Sequence, residues 1–243
     1  MTHARRRRLV ERRRKALGLV LVAVLSFLAG MTDALGLLIG GNFVSFMSGN
    51  TTRAAVAAAG GDGAAALLLA GALLVFVAGN TLGIVIAHGA ERRLLRVMIG
   101  VALLLAGAAA IPPGTAPEAR FYLLVLAMGV VNVAVEQVEG LPVGLTFVTG
   151  ALSRFGKGLG GWLTGERRAD WLMNSAPWLG MAAGALSGAT IGHLIGPGPG
   201  LWFATAIATL LAVASLFVPP HMQRRLANAR PRRATLRLRS PHP

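Results

Sequence analysis

Apolar residues gather along this chain in long runs, unlike the short alternation of a sheet or the one-sided stripe of a soluble helix. A helix crossing about 30 Å of hydrocarbon needs about 20 mostly apolar residues. Six runs approach or meet that length, over 16–38, 64–88, 94–111, 120–139, 176–195 and 200–218. Two further stretches, 42–60 and 143–161, are apolar enough to enter a membrane yet dotted with polar side chains. The first carries Asn42, Ser45, Ser48, Asn50, Thr51, Thr52 and Arg53; the second carries Thr146, Thr149, Ser153, Arg154 and Lys157. Polar groups at membrane depth are paired or line a wet cavity, because lipid offers them no partner. The pattern predicts an all-α polytopic membrane protein, with six spans and two polar re-entrant segments. The first run is too long for the core of a secretion signal, and no small-x-small cleavage site precedes Thr32-Asp33.

The pattern also repeats. Gly30-Met31-Thr32-Asp33 ends one run, and Gly129-Val130-Val131-Asn132 interrupts another. Ser45-Phe46-Met47-Ser48-Gly49 then aligns with Thr146-Phe147-Val148-Thr149-Gly150. Ala78-Gly79-x3-Gly83-x4-His88 aligns with Ala183-Gly184-x3-Gly188-x4-His193, and Pro112-Pro113 with Pro219-Pro220. The four matches fall in order with a slowly drifting offset, which points to a duplicated unit. Residues 16–113 form the first membrane repeat and 120–220 the second, between tails 1–15 and 221–243. The second tail is expected to be disordered.

Composition agrees with the runs: 54% of residues are hydrophobic, only 14% are charged, and the mean hydropathy is +0.63. A soluble domain needs about 25% charged residues to cover its surface. The formal net charge of +15 resides almost wholly in the tails, which hold 15 Lys and Arg against the single acid Glu11. That charge also bears on topology, because Lys and Arg in short loops favour the cytoplasm. With three spans per half, every Lys and Arg except Arg53 and Arg120 falls on the side of the tails. With four spans per half, Arg92, Arg93 and Arg96 move to the outer face. Charge therefore favours three spans per half, hence inverted repeats with both termini cytoplasmic. The basic tails, fixed beside a bilayer, are expected to meet anionic lipid headgroups rather than nucleic acid.

The residues Gly30-Met31-Thr32-Asp33-Ala34 and Gly41-Asn42-Phe43-Val44-Ser45-Phe46-Met47-Ser48-Gly49-Asn50 resemble the YoaK-type bacterial membrane family, a family of unknown function. Its first-half pattern is G-x-x-D-A followed by F-x-x-x-x-(T/S)-G-N. Gly129-Val130-Val131-Asn132 and Phe147-Val148-Thr149-Gly150 are similar to its second-half G-x-Q-N-A and T-G-x-L segments. Val131 stands here for the usual Gln, and Val133 for the usual Ala. The resemblance covers nearly all the chain between the tails. It implies a bacterial inner-membrane protein and carries no activity with it.

Candidate chemistry is sparse. Asp33, near the end of the first span, is either a proton- or cation-coupling carboxylate or an interfacial group that caps a helix or pairs with Arg53. Ser48, Gly49, Asn50 and Thr51, with Asn42 and Ser45 before them, have the make-up of a broken transporter helix, as do Thr146, Thr149 and Gly150. The alternative is that these small hydroxyl residues bond their own backbone and let helices approach. Asn132 and Glu136 lie four apart, on one helix face, and Glu136 is a second candidate proton carrier. His88 and His193 end equivalent helices as a candidate titrating pair or as plain interfacial imidazoles. Glycine stripes at 36/40, 79/83 and 180/184/188/192 favour close helix contact, within the chain or in a homo-oligomer. Trp162, Trp171, Trp178 and Trp202 flank spans, as an aromatic belt does.

Soluble catalytic signatures fail. Gly156-Lys157-Gly158-Leu159-Gly160-Gly161 satisfies G-x-G-x-x-G without a βαβ frame, and no Walker A, H-E-x-x-H or G-x-S-x-G motif occurs. There is no cysteine, and the five histidines are scattered. No enzyme, cofactor or metal site is expected. The leading expectation is a secondary transporter or permease for a small polar or charged solute, with Asp33 and Glu136 as coupling candidates. The competing one is a non-transporting scaffold or lipid-interacting protein assembled through glycine-rich faces.

Overall fold

The computed structural model describes residues 3–134, 137–138, 141–142, 148–166 and 175–218. Eight helices follow one another: α1 (His3–Gly40), α2 (Met47–Ala59), α3 (Gly63–Ala87), α4 (Arg93–Ala110), α5 (Pro117–Asn132), α6 (Val148–Leu163), α7 (Ala176–Ile195) and α8 (Pro197–Ser215). The basic residues 3–15 continue α1 as helix, so the N-terminal tail and first span form one 38-residue rod. Five helices are long and apolar enough to cross a membrane, beginning with the Ala16–Gly40 part of α1 and joined by α3, α4, α7 and α8.

Local chemistry sets the boundaries. Asp62 accepts from the Ala65 N–H at 3.0 Å and caps α3, directly after Gly61 turns the chain at φ +83°. Pro112-Pro113 follow α4 and cannot continue it. Gly196, at φ +94°, ends α7, and Pro197 starts α8 at once. α5 differs from the expected 120–139 run: it begins three residues earlier, with Pro117 in its first turn, and stops at Asn132. Beyond it, Gln137–Val138 (β1) pairs antiparallel with Leu141–Pro142 (β2), Gln137 opposite Pro142. Gly140 and Pro142, both poor in helices, account for the early stop.

α1, α4, α5 and α8 form the centre; α3 flanks α5, and α7 flanks α1. Thus the first helix of each half packs on the middle helix of the other, and α2 lies on α3 as α6 lies on α7. Glycines make these crossings possible. A methyl group at Gly180, Gly184 or Gly188 of α7 would meet the Ala23, Phe27 or Met31 carbonyl of α1 respectively. Both series rise together, so α1 and α7 run parallel. α3 and α5 do the same: Gly71 lies against Tyr122, Gly79 against the Leu126 carbonyl, and Gly83 against that of Val130. The matches are residue for residue. Gly30 abuts Met181 and Ala185, just as Gly129 abuts Phe76 and Asn80.

Arg92, at the start of α4, donates from Nη1 to the Leu216 carbonyl at the end of α8 (2.8 Å), so these two helices are antiparallel. Arg120 is buried in the first turn of α5 and reaches back to the end of α4. Its Nε donates to the Ala108 carbonyl at 3.2 Å and its Nη2 to that of Ile111. The sequence places Arg120 at the outer end of a span; the structure adds that it caps α4. Arg120→Leu strands both carbonyls and should lower the unfolding midpoint in detergent by several degrees, at about 1–3 kcal/mol. Arg120→Lys should lower it less, and differential scanning fluorimetry of the two variants checks the order.

Candidate functional site

The polar segment after α1 is built by a reversal of the chain. Gly41 adopts φ +67°, open to glycine at little cost, and the strand of residues behind it turns back along α1. Gly36 has no side chain, and Val44 fills the space where a Cβ would sit (2.6 Å). This brings residues 44 and 45 down to Asp33, seven residues before the end of α1. Asp33 Oδ1 accepts from the Val44 N–H at 2.7 Å and the Ser45 N–H at 2.9 Å, and the Ser45 hydroxyl also bonds the carboxylate. Asn50 Nδ2 donates to the Phe43 carbonyl at 2.7 Å. One peptide unit, 43–44, is therefore clamped at both polar ends, its oxygen by Asn50 and its N–H by Asp33. Asn42 Nδ2 donates to the Gly40 carbonyl (3.0 Å), and Arg53 Nη1 to that of Gly41 (2.6 Å).

Asp33, Ser45 and Asn50 are buried; Ser48, Thr51 and Thr52 lie on the exposed face of α2. Thr51 and Thr52 bond the Met47 and Ser48 carbonyls one turn back, at 2.9 and 3.2 Å. The Phe46 ring occupies the space beside Gly49 and stands edge-on to Phe43, ring centroids 5.5 Å apart. Arg53 Nη1 donates to a carbonyl rather than to Asp33, and the Asp33 carboxylate accepts from two N–H groups of the turn before α2, not from a helix terminus. Among the described residues the burial leaves two acceptors without a hydrogen-bond partner, Asn50 Oδ1 and Ser26 Oγ, the latter two turns below Asp33 on α1. Ser26 was not singled out from the sequence; its spacing of seven from Asp33 places it on the same helical face.

The second half is built differently at the matching positions. Asn132, half-buried at the end of α5, takes the place of Asp33, and buried Ala151 that of Asn50. Thr149 is exposed, and Gly150 is half-buried with the Arg154 side chain alongside (3.5 Å from a Cβ position). Glu136 and Thr146 lie outside the described residues. The first polar segment sits at the C-terminal end of α1. His88 and His193 are both exposed, His88 at the end of α3 beside the start of α4, His193 at the far end of α7. The structure does not bring them together. Among the described residues no three His, Asp or Glu gather as metal ligands would.

Residues 21–214 match the model of a family described as "protein of unknown function (DUF1275)". The chain belongs to the DUF1275 family. Over 230 residues it is 52% identical to the UPF0700 transmembrane protein RA0705 of Rhizobium meliloti (strain 1021), covering 95% of this chain and 100% of that one. No solved structure gives a significant match. The family resemblance read from the two pairs of motifs thus holds, as does a multi-pass membrane protein. The DUF1275 match spans both halves, from near the start of the first span to the end of α8.

Proposed function

We propose that this DUF1275 protein is a secondary transporter or permease for a small polar or charged solute, built from two inverted three-helix repeats. The observation that carries the reading is reciprocal packing. α1 parallel to α7, α5 parallel to α3, and α4 antiparallel to α8 make six helices that alternate in direction along the chain. The equivalent helices α1 and α5 then point opposite ways, as an inverted repeat requires. α3 starts from the face at which α1 ends, so α2, about 20 Å long at 13 residues, has no membrane to cross. α5 has only 16 residues, about 24 Å, but nine of them are buried, so lipid does not have to match its length.

In this arrangement α2 is a half-helix that begins beside the polar end of α1, and α6 lies at the opposite face. Transporters of this plan hold solute or ion at broken helix ends and alternate access by rocking one half on the other. Asp33 carries the coupling charge, held by two N–H donors, and Asn50 Oδ1 is a buried acceptor beside the same peptide. The charge of the tails supports cytoplasmic termini, and a bacterial inner membrane is the placement the family resemblance implies. A scaffold assembled through glycine faces has less support: the stripes at 79/83 and 180–192 are already occupied by α5 and α1.

Transport requires water at the polar segments. Single cysteines at Ser48 and Thr149 should react with a hydrophilic thiol reagent, Ser48→Cys from outside in intact cells and Thr149→Cys only from inside. If both stay unreactive from either side while Thr115→Cys in the α4–α5 loop reacts, the pathway does not exist.

A further inference from the structure

α6 breaks the symmetry of the two halves. At 100° per residue, its Val148, Leu152, Phe155, Leu159, Trp162 and Leu163 fall within an arc of about 120°. Arg154 and Lys157 lie on the opposite arc, with Ser153 and glycines between them. The protein covers only one edge of the apolar arc: Ala151 is buried against the bundle, but Leu152 is 45%, Trp162 53% and Leu163 71% exposed. Arg154 and Lys157 are exposed, and neither pairs with an acid among the described residues. Glu166 folds back over Gly161 at the helix end. α2, the matching helix, has Val56 where α6 has Lys157, and has Thr51 and Ala58 where α6 exposes Leu152 and Leu159. Leucine and tryptophan on one side, cations on the other and few charges otherwise mark a helix that lies in a membrane interface.

We propose that α6 is an interfacial helix that binds an anionic lipid surface, with Leu152, Leu159, Trp162 and Leu163 in the acyl boundary and Arg154 and Lys157 at the headgroups. Charge complementarity selects this occupant over a second copy of the chain, whose own α6 and tails are also cationic. The inference does not depend on transport.

The natural absence of cysteine makes a direct test possible. The full chain, spin-labelled at Leu159→Cys or Ser153→Cys, is reconstituted in vesicles of phosphatidylcholine alone or with phosphatidylglycerol. Collisions are read with oxygen, which favours the acyl region, and with a polar nickel chelate. The expected result is oxygen-dominated relaxation at Leu159, nickel-dominated relaxation at Ser153, and deeper placement of Leu159 with phosphatidylglycerol. Arg154→Gln with Lys157→Gln should remove the lipid dependence, about five-fold per charge lost in the preference for anionic vesicles. Arg232→Gln, Arg233→Gln, Arg237→Gln and Arg239→Gln together should leave it in place. Equal nickel access at both positions would overturn the proposal by putting α6 in water. Immobile labels sealed from both reagents would overturn it in favour of a second copy. Lipid dependence that survives loss of Arg154 and Lys157 but not of the tail arginines would overturn it in favour of the tail.

Discussion

Gly184→Leu is expected to prevent assembly of the bundle. A Cβ at this position already collides with the Phe27 carbonyl and with Phe27 Cα at 2.8 Å, both backbone atoms that cannot swing aside. Inserting extra atoms into a packed core typically costs about 1–3 kcal/mol when side chains can yield. Here a helix axis must move, so the cost exceeds that range, and Gly184→Ala alone should be measurably harmful. The repeat makes the expectation sharper. Gly129→Leu meets the Phe76 carbonyl and the backbone of Gly79 in the equivalent crossing, and should be as damaging as Gly184→Leu. Gly156→Ala on α6 meets nothing and should be neutral or slightly stabilising. Monodisperse yield and unfolding midpoint in detergent give the comparison. A well-folded Gly184→Leu protein would refute the α1–α7 crossing.

Asp33→Leu should be the most damaging change after these two glycine substitutions, and Asp33→Asn should be mild. Leucine leaves the Val44 and Ser45 N–H groups without an acceptor in a buried site, at about 1–3 kcal/mol each. Asparagine keeps an oxygen where Oδ1 stands and can hold both donors. The expected readings are a large fall in unfolding midpoint with protease cleavage within 41–46 for Asp33→Leu, and near-native values for Asp33→Asn. Asn50→Ala, which frees the Phe43 carbonyl, should fall between them. This separation of fold from charge makes Asp33→Asn the useful variant for function. It retains the clamp and removes the charge, so in the coupled-transport reading uptake loses its pH dependence. Unchanged uptake and pH dependence in Asp33→Asn would leave Asp33 a structural residue.

Much of this architecture was legible in the chain because bilayer thickness dictates run length. The expected 16–38, 64–88 and 176–195 runs correspond to Ala16–Gly40, Gly63–Ala87 and Ala176–Ile195 within two residues. The two polar stretches likewise became the short helices α2 and α6. The end of α5 was misplaced because hydropathy continues through Val133 and Val135, while Gly140 and Pro142 favour a turn. The aligned motifs point to a repeat, but motifs state equivalence, not contact. That α1 pairs with α7 and α5 with α3 depends on which small residues face which carbonyls, and no periodicity in one chain reveals that. The role of Asp33 was hidden for a similar reason. Its partners are backbone groups eleven and twelve residues on, reached only because Gly41 reverses the chain and Gly36 admits Val44. The role of Arg120 was not legible, because its partners are backbone carbonyls at the end of the preceding helix, α4.

The central claim, two halves of opposite orientation, rests on three spans in each. Single cysteines at Ala59, Glu91, Thr115 and Thr164 test it in intact cells with a membrane-impermeant thiol reagent. All four positions are exposed, and they avoid Gly61, Gly114 and Gly165, whose positive φ suits glycine alone. The account predicts labelling at Ala59 and Thr115, with Glu91 and Thr164 protected until the cells are lysed. Labelling of Glu91 in intact cells, with Ala59 protected, would mean that α2 crosses the membrane and that the halves are parallel, which contradicts it.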